Sequence, residues 1–312
     1  MSKILKDQIK DLTGSIIGIH VEKVQTEDSF MDIASRFADL TGTVILMSGT
    51  DLDCSRYHIL ATLPWMTFSG RGKRMKISSL KRSIEIESDP FETLRLLLDT
   101  FKILPERSNQ VFDVPIAAGL FGYLSYDLKD FLEDLPRTSI DDINKPNICL
   151  FAPSIILVHD KISGDSFLCS TKLETEGIDF ASNPTNKFLD IIQKKLIRRR
   201  GYIGNLEFVN SSFTRENYIK AVEAIKEYIA SGHVYEVNLS QRFEAGFEGD
   251  AFSLFQDLYK LNPAPFYSFI QTGEITIVST SPERFILREG LKIETRPIKG
   301  TKPRGRSFAP IL

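Results

Sequence analysis

Short β-branched runs and helical apolar stripes share this chain. Residues 43–48, Thr43-Val44-Ile45-Leu46-Met47-Ser48, form an apolar run closed by Gly49-Thr50-Asp51, which predicts a buried strand ending in a turn. Asp89-Pro90 followed by Phe91, Leu94, Leu97, Leu98 and Phe101 gives an N-cap, a proline at the first helical position and an inward stripe. The two glycines in 117–124, Gly119 and Gly122, predict a strand that another backbone or a ligand approaches closely. Residues 155–159 and 166–170 flank a polar, Gly-containing segment and read as a hairpin. Asn183-Pro184 opens a helix with Phe188, Ile191, Ile192 and Leu196 inward, ending at Arg198-Arg199-Arg200, which either binds an anion or is a solvated cationic helix end.

Beyond residue 210 the periodicity sharpens. Thr214 caps a helix with Tyr218, Ala221, Val222, Ile225 and Ile229 on one stripe, stopped at Gly232. In 234–243 apolar and polar residues alternate, predicting a strand with Glu236, Asn238, Ser240 and Arg242 on one face and Gln241 on the other. A helix over 251–261 ends at Asn262-Pro263, and two hairpins follow, 266–271 with 275–281 and 285–288 with 291–295. The elements add up to an α+β chain of large antiparallel β-sheets flanked by helices.

Composition narrows function more than fold. The 312 residues carry 26% charged side chains and a formal net charge of −2, so no global basic field attracts nucleic acid or anionic lipid. No apolar run approaches the roughly 18 residues of a membrane span, and the first residues lack a signal-peptide core, which predicts a cytoplasmic protein. Cys54, Cys149 and Cys169 are widely spaced and read as reduced thiols. His20, His58, His159 and His233 lack metal-ligand spacing and read as ordinary residues.

Candidate chemistry concentrates near the end. If strand alternation persists through Pro297, Lys299 shares a face with Leu291, Ile293 and Thr295. There it is either a desolvated, nucleophilic amine with Arg296 and Lys302 nearby or a strand-end lysine reaching water. Glu283 and Arg284 form either a general acid with its modulating cation or a structural ion pair. Gly300 and Thr301 offer an N–H and a hydroxyl to an anion, or a bare turn.

Four stretches occur in order: Tyr235-Glu236-Val237-Asn238-Leu239-Ser240-Gln241-Arg242-Phe243, Asn262-Pro263-Ala264-Pro265-Phe266, Ser281-Pro282-Glu283-Arg284-Phe285, and Arg296-Pro297-Ile298-Lys299-Gly300-Thr301. Together they resemble the chorismate-utilising enzymes, the family of anthranilate, isochorismate and aminodeoxychorismate synthases. The likeness covers roughly residues 212 to 306, with a looser one before it. It implies an anthranilate-synthase-like fold, an N-terminal region over 1–200 and the first part of a chorismate-binding catalytic domain over 201–312. Lys299 and Val237-Asn238-Leu239 resemble the aminodeoxychorismate branch, whereas Glu236 departs from its usual Gln.

The resemblance implies amination of chorismate to 4-amino-4-deoxychorismate, a precursor of p-aminobenzoate and folate. Lys299 would be the nucleophile and Glu283 the acid, with Gly300, Thr301, Gln241 and Arg284 binding substrate. It further implies Mg²⁺, ammonia from a glutamine amidotransferase subunit, and a tryptophan or regulatory pocket touching Ser48, Pro265 and Phe266. The metal-binding glutamates, a catalytic histidine and a Gly-rich loop are expected past residue 312. The chain is therefore expected to be truncated, with no metal ligands of its own, inactive alone and left with exposed sheet edges. Two other readings stand: anthranilate synthase component I, and a non-catalytic remnant that binds a ligand or partner.

Overall fold

The computed structural model describes residues 2–13, 15–50, 52–79, 82–100, 114–136, 140–174, 183–196 and 199–299. They fall into two compact units, Met1–Ile197 with Phe255–Leu312, and Arg198–Leu254. The first unit begins with α1 (Ser2–Thr13), β1 (Ser15–Val24), α2 (Phe30–Ser35), β2 (Thr43–Met47), β3 (Tyr57–Arg71), β4 (Arg74–Ser79), β5 (Ser83–Glu87) and α3 (Pro90–Thr100). It continues through β6 (Phe121–Leu124), a 3-10 helix at Tyr126–Phe131, β7 (Ile148–Asp160), β8 (Ser166–Glu174) and α4 (Pro184–Ile192). The second unit holds β9 (Tyr202–Ser211), α5 (Arg215–Ala230) and β10 (Phe243–Gly249). Through α6 (Ala251–Leu261) the chain returns to β11 (Phe266–Gln271), β12 (Thr276–Ser281), β13 (Arg284–Glu289) and β14 (Lys292–Arg296).

Ten strands make one sheet in the order β1-β8-β7-β3-β2-β11-β12, with β4 on β3, β5 on β4 and β6 on β7. Every pairing in it is antiparallel. Its centre is β7, a near-continuous apolar run buried at every position but His159. Apolar residues pack against it on both sides: Trp65, Phe68, Ile77, Leu97 and Leu150 in one cluster, Val44, Ala61, Phe151, Ile156 and Ile270 in another. Each such side chain contributes about 1.5–3 kcal/mol by leaving water.

Local chemistry explains the ends of elements. Asp89 Oδ1 accepts the Phe91 and Glu92 N–H groups at 2.9 and 3.0 Å, starting α3. That helix buries Leu96 and Leu97 and leaves Leu98 exposed, a shift of the stripe by part of a turn, and Phe101 lies outside the described residues. Asn183 Oδ1 accepts Thr185 N–H at 3.0 Å to start α4, whose Phe188 stacks on Phe37. Leu196, read as inward, lies beyond α4 and is exposed. Gly122 answers the expected close approach: its φ is 152°, and a Cβ there would fall on the Cys149 carbonyl oxygen of β7.

The strand read over 234–243 does not form. Residues 234–242 follow an irregular path, and pairing starts only at Phe243, which opens β10 opposite Ser211. The partner decides this: β9 ends at Ser211, so no ladder remains for the alternating residues before Phe243. In α5, Thr214 Oγ1 accepts Asn217 N–H at 3.2 Å, yet no residue of the helix is buried, and on its apolar stripe only Ala221 and Ile225 are even half-buried. Of the three arginines, Arg199 is held by Asp250 through two bonds of 2.7 Å, Arg200 is exposed and Arg198 lies outside the described residues.

Candidate active site

Lys299 and Glu283 come together across sixteen residues of chain. Ser281, at the end of β12, accepts the Glu283 N–H with its hydroxyl oxygen at 3.2 Å and so fixes the turn that presents Glu283 at the start of β13. Antiparallel pairing of β13 with β14 returns the chain past it. The Lys299 ammonium then donates to Glu283 Oε2 at 3.2 Å. The apolar setting considered for Lys299 is absent, because its side chain is 63% exposed and that of Glu283 32%. The cause is the β13–β14 ribbon, a two-stranded sheet whose Phe285, Leu291 and Ile293 are themselves exposed.

Arg284 is engaged on two sides. Its guanidinium pairs with Glu294 and lies over the Phe266 ring at 5.4 Å. Glu294 also takes Arg296 Nε at 2.6 Å, and Arg296 NH1 reaches Asp53 Oδ1 at 2.6 Å. These bonds to Arg296 hold both carboxyls below the usual range, with Arg284 adding to the effect, and Asp53 and Glu294 in turn raise Arg296. The outcome is a relay Arg284, Glu294, Arg296, Asp53 beside the Lys299–Glu283 contact. The Glu294 contact uses one edge of the Arg284 guanidinium, whose other N–H groups are the donors it can offer a substrate carboxylate.

Glu294 and Asp53 were not candidates from the sequence. The two-residue spacing of Glu294 and Arg296 on a strand was a usable signal, since it puts both on one face. Nothing local marked Asp53, 243 residues from its partner. Gln241, in the second unit, donates to Ser211 Oγ at 2.6 Å. Gly300 and Thr301 lie outside the described residues.

Ser48, Pro265 and Phe266 lie on or next to the neighbouring strands β2 and β11. Gly49 N–H donates to Ala264 O at 2.8 Å, which sets the turn at Ser48 beside the strand that carries Pro265 and Phe266 into β11. A Cβ on Gly49 would collide with Pro263 and Ala264, so glycine permits this approach. Ser48 O accepts both Lys161 Nζ at 3.0 Å and Tyr259 OH at 3.2 Å.

Magnesium does not fit the described residues. No three His, Cys, Asp or Glu side chains among them stand close enough to hold a metal ion. The carboxylates nearest the lysine, Glu283 and Glu294, are already paired with cations. No helix among the described residues is long and apolar enough to cross a membrane, and Cys54, Cys149 and Cys169 are free thiols.

Comparison with known proteins converges. The chain is 32% identical over 271 residues to aminodeoxychorismate synthase component 1 of Escherichia coli (strain K12), covering 86% of this chain and 57% of that one. It is 31% identical over 280 residues to anthranilate synthase component 1 of Cereibacter sphaeroides, covering 85% and 55%. The chain thus spans a little over half the length of these relatives. The crystal structure of anthranilate synthase component I from Streptococcus pneumoniae superposes with a TM-score of 0.60 at 19% identity, covering 77% of this chain and 53% of that one, and establishes the fold as the α+β arrangement expected. The family model described as chorismate binding enzyme matches residues 54–309, and the chain belongs to that family.

Proposed function

We propose that this chain carries the nucleophile-bearing part of an aminodeoxychorismate synthase component I. The observation that supports it most is the contact of Lys299 Nζ with Glu283 Oε2 at 3.2 Å. Transfer of one proton along it turns an ammonium and a carboxylate into a free amine and a carboxylic acid, the nucleophile and the general acid in a single step. The amine attacks C2 of chorismate, both ring double bonds shift by one position, and the C4 hydroxyl leaves as water with the Glu283 proton. Ammonia then adds at C4, both double bonds shift back, and the C2 bond to Lys299 breaks. Chorismate and ammonia become 4-amino-4-deoxychorismate and water. A glutamine amidotransferase partner would supply the ammonia, and no step is routed through Mg²⁺.

The near-equal identity to the Cereibacter sphaeroides protein favours a second reading, anthranilate synthase component I, in which ammonia adds without a lysine adduct. Product analysis separates the two. The protein is assayed alone and extended by the portion of the E. coli relative beyond the matched span, with chorismate, ammonium and Mg²⁺. The expected product of the extended protein is 4-amino-4-deoxychorismate, with Lys299→Ala lowering turnover by at least about 10²-fold. Anthranilate, or unchanged turnover in Lys299→Ala, overturns the assignment. Activity of the chain alone would remove the expectation that it is incomplete.

A further inference from the structure

Away from Lys299, a cavity of about 970 Å³ opens in the first unit between the end of β1, α2 and the α6 side of the sheet. That volume lies at the upper end of small-molecule sites. Its inner wall is His58 on β3, a residue only 9% exposed. His58 Nδ1 lies 3.2 Å from the Ser48 backbone nitrogen, which can only donate. The neutral ring therefore carries its proton on Nε2. Nε2 has no hydrogen-bond partner among the described residues and, since none of their fully buried side-chain nitrogens lacks one, it opens onto the cavity as a donor for whatever occupies it.

The remaining wall suits a flat body. Phe30 lies 5.2 Å and His159 6.0 Å from the His58 ring, Tyr259 meets it edge-on at 6.4 Å, and Met47, Ile33 and Leu157 complete the apolar surface. The rim sets the charge. Lys23 is neutralised by Asp165 at 2.8 Å, Asp28 is matched by Arg36 at 2.8 Å, and Glu27 adds a carboxylate with no ion pair among the described residues. A carboxylate ligand would meet a neutral imidazole and an acidic rim, with the nearby Lys161 ammonium already turned to the Ser48 and Thr50 carbonyl oxygens.

We infer that this cavity binds a small, flat, uncharged molecule whose carbonyl or amide oxygen accepts the His58 Nε2 proton. The site is separate from the Lys299–Glu283 pair and does not depend on the proposed amination. Burial, aided by Lys161 and His159, holds the imidazole down at about 4, so the donor is neutral under ordinary conditions.

The test uses the whole protein with benzamide as probe and benzoate, its charged isostere, as control. NMR of the His58 side chain is expected to show a saturable shift of its Nε2 and Hε1 resonances with benzamide. Benzoate is expected to bind at least about tenfold more weakly. His58→Asn keeps an acceptor for Ser48 N–H and removes the Nε2 donor, so it should lower benzamide affinity by a similar factor. The resonance measurement on the unaltered protein stands if that variant fails to fold. No His58 shift at saturating solubility of benzamide, or equal response to benzoate, overturns the inference.

Discussion

His58 and Asp160 lie on adjacent strands and answer acid in different windows. Burial keeps the His58 imidazole at about 4, while at Asp160 the Arg56 guanidinium holds the carboxyl at about 2 against the opposing effect of burial. An unfolded histidine titrates near 6.5, so the folded state binds fewer protons than the unfolded one between those values. The stability owed to the neutral ring is complete above about pH 6.5 and is lost as pH falls to about 4, on the order of 3 kcal/mol in all. Asp160 contributes above about pH 3.9 and loses its share only as pH falls toward 2. The first acid loss therefore belongs to His58, whose protonation also breaks the bond from Ser48 N–H. In His58→Asn the urea midpoint should change less between pH 7 and pH 4.5 than in the unaltered protein. Equal drops in both would assign the loss elsewhere. At the same scale, single residues of the site were readable only in part. Local sequence left Lys299 and Glu283 each with two readings, and only their order among the motifs linked them. The Glu294–Arg296–Asp53 relay depends on a side chain delivered from far along the chain, which no window of sequence contains.

Elements whose signals are local were read correctly, and the readings that failed, the strand at 234–243 and the inward stripe of α5, turn on partners farther along the chain. The Asp89 cap, the Asn183 cap and the hairpins β7–β8, β11–β12 and β13–β14 follow from residues within a few positions of one another. Alternation over 234–243 is as clean as in any of these hairpins, but β9 ends before it can be paired. The stripe of α5 likewise resembles that of α3, yet α3 buries Leu96 and Leu97 while α5 buries nothing. That contrast has an energetic consequence. Asp89→Ala should destabilise the protein by about 1 kcal/mol through loss of the two N–H acceptors of α3. Val222→Ala, on the exposed stripe of α5, should stay within about 0.5 kcal/mol of the unaltered protein. Chemical denaturation measures both, and a large cost at Val222 would mean that α5 packs against apolar surface.

For the molecule as a whole, stability should be unevenly spread. β3 and β7 pair along nearly their full lengths, β7 buried on both faces and β3 fully buried at about every second position, so their amides open only when the core does. The β13–β14 ribbon has no neighbouring strand among the described residues, and Ile286 and Ile293 are more than half exposed. Among the described residues β9 and β10 of the second unit pair only with each other, and β10 is exposed along its length. Hydrophobic patterning alone does not separate these regions, because an apolar residue in a strand looks the same whether or not a second layer covers it. The pairing of residues near 60 with residues near 157 is what makes one region a core, and a contact across that much sequence leaves no local trace. Native-state hydrogen exchange resolves the difference. The amides of Leu60, Ala61, Ile156 and Leu157 should be the slowest, and those of Ile286, Ile293 and β10 faster by orders of magnitude, through openings that leave the large sheet intact. Equal protection throughout would show that the ribbon and the second unit unfold only together with the ten-stranded sheet. The Lys299–Glu283 contact would then rest on a rigid base rather than on a marginal ribbon.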